Sequence, residues 1–215
     1  MSARRTVAAA LAAAVLLTGA CSDDAAGDGD AAPTTAPDLD GADGGAGDGP
    51  STTLPPGAEE VVLRGDGLGV ASFGDDPDEA VAALTEALGP PTDDAGWTSA
   101  FGEHGTCPGE EIRAVAWDHL VVLFTDGETE HGDGPHLFAW RLDGAPPALG
   151  TETGFGWGAT AADAEDLHPG RVELVPAEEP FPAFLVVDTD DGPITAFLDE
   201  HDVVTHVEAG APCGE

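Results

Sequence analysis

Between residues 61 and 208 the chain reads as short apolar runs cut by clusters of Gly, Pro and Asp. Two of these runs have helical spacing. Asp76-Pro77-Asp78-Glu79 offers an N-cap carboxylate, a proline at the first helical position and a Glu three residues after the cap. Ala80, Val81, Leu84 and Leu88 follow at intervals that line one helical face, and Gly89-Pro90-Pro91 ends the helix. A second helix starts at Thr160, where Asp163 closes a capping box, and runs to Leu167 before Pro169-Gly170. The other runs predict strands over 61–64, 70–73, 112–117, 120–125, 136–142, 172–175, 184–188, 194–199 and 203–208. Asp118-His119 and Asp190-Asp191-Gly192 supply tight turns between them. Two helices among hairpin strands place the chain in the α+β class, with an antiparallel sheet.

One spacing recurs. Phe73-Gly74 is followed by the cap Asp76 and by Glu79, and Trp157-Gly158 by the cap Thr160 and by Asp163, an offset of 84 positions. Each copy precedes a helix and then several strands, which suggests two similar helix-plus-meander units, about 61–142 and 150–208, forming one domain. This order resembles the tandem repeats of the beta-lactamase inhibitor protein family and the small lipoprotein of the outer-membrane assembly machine. The resemblance implies helices packed on an antiparallel sheet whose face or loops grip a protein partner. It transfers no binding residues.

Before this domain the pattern changes. Arg4-Arg5 is followed by an uncharged apolar run over 7–17, too short to cross a membrane as a helix, and then by Gly19-Ala20-Cys21. Small residues directly before a cysteine resemble the lipobox of bacterial lipoproteins, although Thr18 stands where that pattern prefers Leu. The resemblance, which extends to uncharacterised lipoproteins of high-GC Gram-positive bacteria, implies a signal peptide over 1–20 and lipid on Cys21. It places the protein at the extracytoplasmic face of the cell membrane. Residues 21–57 then form an acidic Gly/Ala/Asp/Pro tether whose only large apolar residues are Leu39 and Leu54. Such a segment buries too little surface to offset its ordering entropy. The folded domain is expected over 58–215.

The charge sharpens this picture. The chain holds six Lys or Arg residues, all Arg, against 42 Asp and Glu; loss of Arg4 and Arg5 leaves four basic residues and a net charge of −38. Nucleic acid and electrostatic docking on anionic lipid are both disfavoured, which leaves the lipid itself as the membrane contact. Self-repulsion destabilises a compact acidic fold at low ionic strength. The melting temperature of the domain is therefore expected to rise with added salt, measured by circular dichroism; a flat response would contradict this account.

Two cysteines remain after the anchor. In an oxidising compartment, Cys107 and Cys213 are expected to form a disulfide; the competing reading is a reactive thiol with His104 as its base. Catalytic sets are not evident. Gly67-Leu68-Gly69 brushes against a dinucleotide fingerprint, but Ser72 stands where the third glycine belongs, and neither Ser72 nor Ser99 sits in a nucleophile elbow. No cofactor is implied. The pairs His131/His136 and His201/His206 lack a third ligand, and metal candidates reduce to an acidic turn, Asp188, Asp190 and Asp191, whose carboxylates are the donor type calcium takes. Among the aromatics, Trp117, Phe124, Phe138, Trp140, Phe184 and Phe197 fall in strands and are expected in the core. Trp97, Phe101, Phe155 and Trp157 lie in Gly-rich stretches and are the binding candidates, since exposed aromatics anchor interfaces and sugar sites. The expected function is a non-catalytic envelope lipoprotein, a protein-interaction or binding module displayed outside the cytoplasmic membrane, with an envelope protein or a glycan as its partner. A calcium- or glycan-binding module and a cell-wall or extracellular polymer hydrolase are the alternatives.

Overall fold

A computed structural model describes residue 57 and residues 60–144, 149–210 and 213–214. The expected signal peptide over 1–20, Cys21 and residues 22–56 of the expected tether lie outside the described residues. Helix α1 spans Pro77–Leu88, and Asp76 caps it by accepting from the amides of Asp78 (2.9 Å) and Glu79 (3.3 Å). Its buried face is Pro77, Ala80, Leu84 and Ala87. Helix α2, Ala161–Leu167, has the expected reciprocal cap: the Thr160 hydroxyl accepts from the Asp163 amide, and the Asp163 carboxylate from the Thr160 amide.

The strands are β1 (Asp93–Gly102), β2 (Gly105–Trp117), β3 (Leu120–Thr125), β4 (His136–Asp143), β5 (Val172–Val175), β6 (Phe184–Thr189), β7 (Gly192–Leu198) and β8 (Val204–Gly210). They form one eight-stranded antiparallel sheet in the order β1-β2-β3-β4-β8-β7-β6-β5. The α+β class is thus observed, with two four-strand meanders meeting along β4 and β8. Alternation divides the sheet into two faces. On one, Val115, Trp117, Val122, Trp140, Leu142, Ile194 and Val207 pack against Leu84 of α1 and Ala164 of α2. The buried indoles there find partners: Trp117 Nε1 donates to the Gly89 carbonyl and Trp140 Nε1 to the Arg64 carbonyl, each at 2.9 Å. The second cluster, Ala100, Cys107, Ile112, Leu123, Phe138 and Ala139, contains no residue of either helix.

The Cys107–Cys213 disulfide is present, with the two Cα atoms 4.2 Å apart. Cys107 is therefore not a free thiol served by His104. The bridge fastens Cys213 beside β2, where Thr106 and Gly214 exchange backbone hydrogen bonds.

Several element expectations are corrected. Residues 61–64 and 70–73 are not strands; only isolated bridges link Arg64 to Gly67 and Gly67 to Ser72. Gly67 (φ 150°) and Gly69 (φ 74°) fold this segment back on itself, so Val61, Leu63, Leu68 and Ala71 reach the helix-side core from a loop. Conversely, β1 and the first half of β2 form where no strand was expected. An edge strand needs only one hydrogen-bonded neighbour and one sheltered position, and β1 buries Ala100 alone. Its apolar residues, Ala95, Trp97, Ala100 and Phe101, do not line one face, because the register shifts between Asp94 and Trp97 and between Ser99 and Phe101. Finally, Phe184 and Phe197 are half-buried on the face away from the helices.

Candidate functional site

The uncovered face of the sheet is assembled by register. One row of directly paired residues crosses all eight strands: Asp93, Ala116, Val121, Arg141, Glu208, Thr195, Val186 and Glu173. A second row runs from Asp143 through His206, Phe197 and Phe184 to Val175. Directly opposed residues in an antiparallel pair share a face, so both rows look out from the side opposite the helices. The β5–β7 half is apolar and aromatic: the rings of Phe184 and Phe197 lie 5.6 Å apart, and Phe197 meets His206 edge-on at 5.1 Å.

The seam between β4 and β8 is polar. His206 Nδ1 lies 2.5 Å from Asp143 and its Nε2 lies 2.9 Å from Glu208, so both ring nitrogens face carboxylates. Only an imidazolium donates to both at once. Burial, the largest single influence, pushes the His206 pKa down, but the hydrogen bonds to Glu208 and Asp143 and the charges of both carboxylates together raise it above the usual histidine value. The stabilisation is therefore complete below about pH 6.5, the unfolded value, and is lost as pH rises through the higher folded-state value. The melting temperature of the wild type is expected to fall over that alkaline range more than that of His206→Gln. Equal slopes would refute the charged, doubly donating form.

At the β1–β2 end a cleft of about 440 Å³ opens on the same face. Its floor is Ala114, Ala116 and Val121, Phe101 stands on its wall, and Arg141 and His104 close one side. Arg141 Nη2 donates to His104 Nδ1 at 3.0 Å, tying the hairpin tip over the sheet. Burial and the adjacent guanidinium charge lower the His104 pKa, so its ring is the neutral acceptor that this bond requires.

The expected site residues are placed as follows. Trp97 lies on edge strand β1 opposite Arg113, on the helix side of the sheet, and is 37 % exposed. Phe101, also on β1, is 66 % exposed and borders the cleft. Trp157 is 42 % exposed in the loop before α2, beside Leu167. Phe155 is fully buried, with the His168 ring against it at 6.0 Å, and is removed from the binding candidates. The fold thus brings only Phe101 to the cleft.

The acidic turn does not form a cage. Asp190 is bonded to Arg171 at 2.6 Å, Asp191 lies 3.1 Å from Arg64, and Asp188 is exposed. Among the described residues, no three His, Cys, Asp or Glu side chains are grouped to hold a metal ion. His136 is buried between the Thr129 hydroxyl and the Gly134 carbonyl, while His201 is exposed. Sequence reasoning passed over Arg141, Asp143 and Glu208, and considered His104 and His206 only for other roles. The available signal was local: Arg141 is the single basic residue inside the apolar run of β4, at an outward-facing position. Compared with known protein families, with curated proteins and with solved structures, the chain matches none.

Proposed function

We propose that this protein is a lipid-anchored, non-catalytic module that presents the open face of its sheet to a protein partner outside the cytoplasmic membrane. The observation that carries the reading is the face itself. It spans eight strands, no described helix packs on it, and Val121, Val175, Phe184, Val186 and Phe197 remain half-buried there. Apolar and aromatic residues ringed by polar ones, as Arg141, His206, Glu208 and Glu173 ring these, are the ordinary make-up of an interface. Cys21 supplies the anchor and residues 22–57 the reach.

The two halves are read as similar units, each a helix followed by a four-strand meander. Support comes from the matching cap spacing at Phe73 to Glu79 and Trp157 to Asp163, and from the element order α1-β1-β2-β3-β4 then α2-β5-β6-β7-β8. The disulfide joins β2 of the first unit to the segment after β8 of the second. A second reading, glycan binding, is favoured by the Phe184–Phe197 ring pair, which offers flat apolar surface to a sugar.

Photo-crosslinking on native cells distinguishes these. A crosslinker at Val186 or Thr195, on the open face, is expected to capture one dominant protein, and one at Glu86 on α1 is not. Equal capture from both faces, or none from the open face, would remove the interaction reading.

A further inference from the structure

We propose that the cleft between the β1–β2 hairpin and strands β2–β4 is a binding site for a carboxylate carried on a small apolar body, with Arg141 as its anchor. The proposal rests on the reading of the open face as a binding surface and names the chemistry of one part of it. The four arginines of the domain are not equivalent. Arg113 forks onto Asp94, with Nε 3.1 Å from Oδ1 and Nη2 2.7 Å from Oδ2, and reaches Asp78 at 2.9 Å. Arg64 bonds Glu152 at 2.9 Å and Arg171 bonds Asp190 at 2.6 Å. Among the described residues, Arg141 has no hydrogen-bonded carboxylate. Its nearest, Asp143, stays 3.7 Å from Nε, and the one hydrogen bond the guanidinium makes is to the neutral ring of His104. Its Nε is shielded from water and makes no hydrogen bond, with Asp143 only at ion-pair distance, while the side chain as a whole is 29 % exposed at the cleft.

A chain with 42 acidic residues against six basic ones has carboxylates enough to saturate every guanidinium. One that is held by a histidine and turned to a cleft is poised for a carboxylate from outside. A planar guanidinium with free donors matches that group bidentately, and such charge-assisted bonds are roughly twice as strong as neutral ones. His104 Nδ1 accepts from Arg141, so its proton sits on Nε2, which is a second donor at the same wall. The floor of Ala114, Ala116 and Val121 is apolar and shallow, which suits a methyl- or isopropyl-sized group. The volume of about 440 Å³ falls within the range of small-ligand sites. Asp93 and Glu103 at the rim, with Asp143 and Glu208 beside Arg141, repel a polyanion, so a ligand with a single negative charge fits the site best.

That chemistry belongs equally to a peptide C-terminus and to a free short-chain acid. The test titrates the full chain with N-acetyl-alanyl-alanine, with the C-terminal amide of the same peptide, and with butyrate. Binding is followed by calorimetry and by the arginine Nε–H resonances in nitrogen-15 spectra. The peptide acid is expected to shift the Arg141 resonance saturably, and the amide to bind at least about tenfold more weakly. Arg141→Met and Ala116→Trp, the latter filling the floor from a position two strands away from Arg141, are each expected to abolish binding while the protein still melts cooperatively. Butyrate matching the peptide acid assigns the site to free acids; a clear preference for the peptide assigns it to chain termini. Equal binding of acid and amide, an unmoved Arg141 resonance, or binding that survives Arg141→Met would overturn the proposal. A blank titration beside successful crosslinking from the open face sinks this inference alone. Carboxylate binding beside failed crosslinking sinks the interaction reading instead.

Discussion

Replacing Cys107 and Cys213 together with serine is expected to lower the stability of the domain by about 4–5 kcal/mol, the chain-entropy contribution of a cross-link closing a loop of roughly a hundred residues. The two cysteines are 106 positions apart. Domains of this kind have about 5–15 kcal/mol in total, so the loss takes a large share of it. Beyond the entropy, the bridge holds Cys213 and Gly214 beside β2, and Cys213 packs against the small cluster of Ala100, Ile112, Leu123 and Phe138 on the open face. Urea denaturation with and without a reductant measures the effect. A midpoint that reduction leaves unmoved would show that the end of the chain is held by packing alone.

The second large effect separates two aromatic residues two positions apart. Phe155→Ala is expected to cost about 3–5 kcal/mol, the usual penalty for emptying a buried aromatic site that relaxes only partly. Phe155 has no exposed surface and packs with the helix-side core and the ring of His168. Trp157→Ala is expected to change stability by no more than about 0.5 kcal/mol, as for most exposed positions. Trp157 is 42 % exposed. Denaturation midpoints of the two variants decide the matter: comparable losses would mean that Trp157 is also part of the core.

That pair also shows how the sequence informs and misleads. Both residues sit in a Gly-rich stretch before the capping box of α2, and composition makes them equivalent. They part because Thr151 and Phe155 close a tight loop through two hydrogen bonds, from the Thr151 amide to the Phe155 carbonyl and from the Phe155 amide to the Thr151 hydroxyl, which turns one ring inward. The β1 strand was equally illegible. Its few apolar residues are interrupted by Gly and polar positions, two register shifts break its alternation, and its pairing with β2 depends on a partner strand that the local sequence does not announce.

What the sequence determined by itself was everything written within a few residues. Both helix starts rest on caps whose donors and acceptors are at most three positions apart. The turn at Asp118, which adopts a positive φ of 52°, and strands such as β3 and β5 follow from turn residues and apolar runs. The excess of acid over base and the α+β class were legible for the same reason. Tertiary structure alone decided which strands meet. The pairing of β4 with β8 joins residues such as Arg141 and Glu208, 67 positions apart, and makes one sheet of two meanders. Only then does Asp143 of β4 reach His206 beside Glu208 of β8, while the β2–β3–β4 pairings of the first meander bring His104, at a hairpin tip, to Arg141 over an apolar floor. Each of these contacts stabilises the fold only after long loops have closed, a cost set by topology rather than by the identity of neighbouring residues.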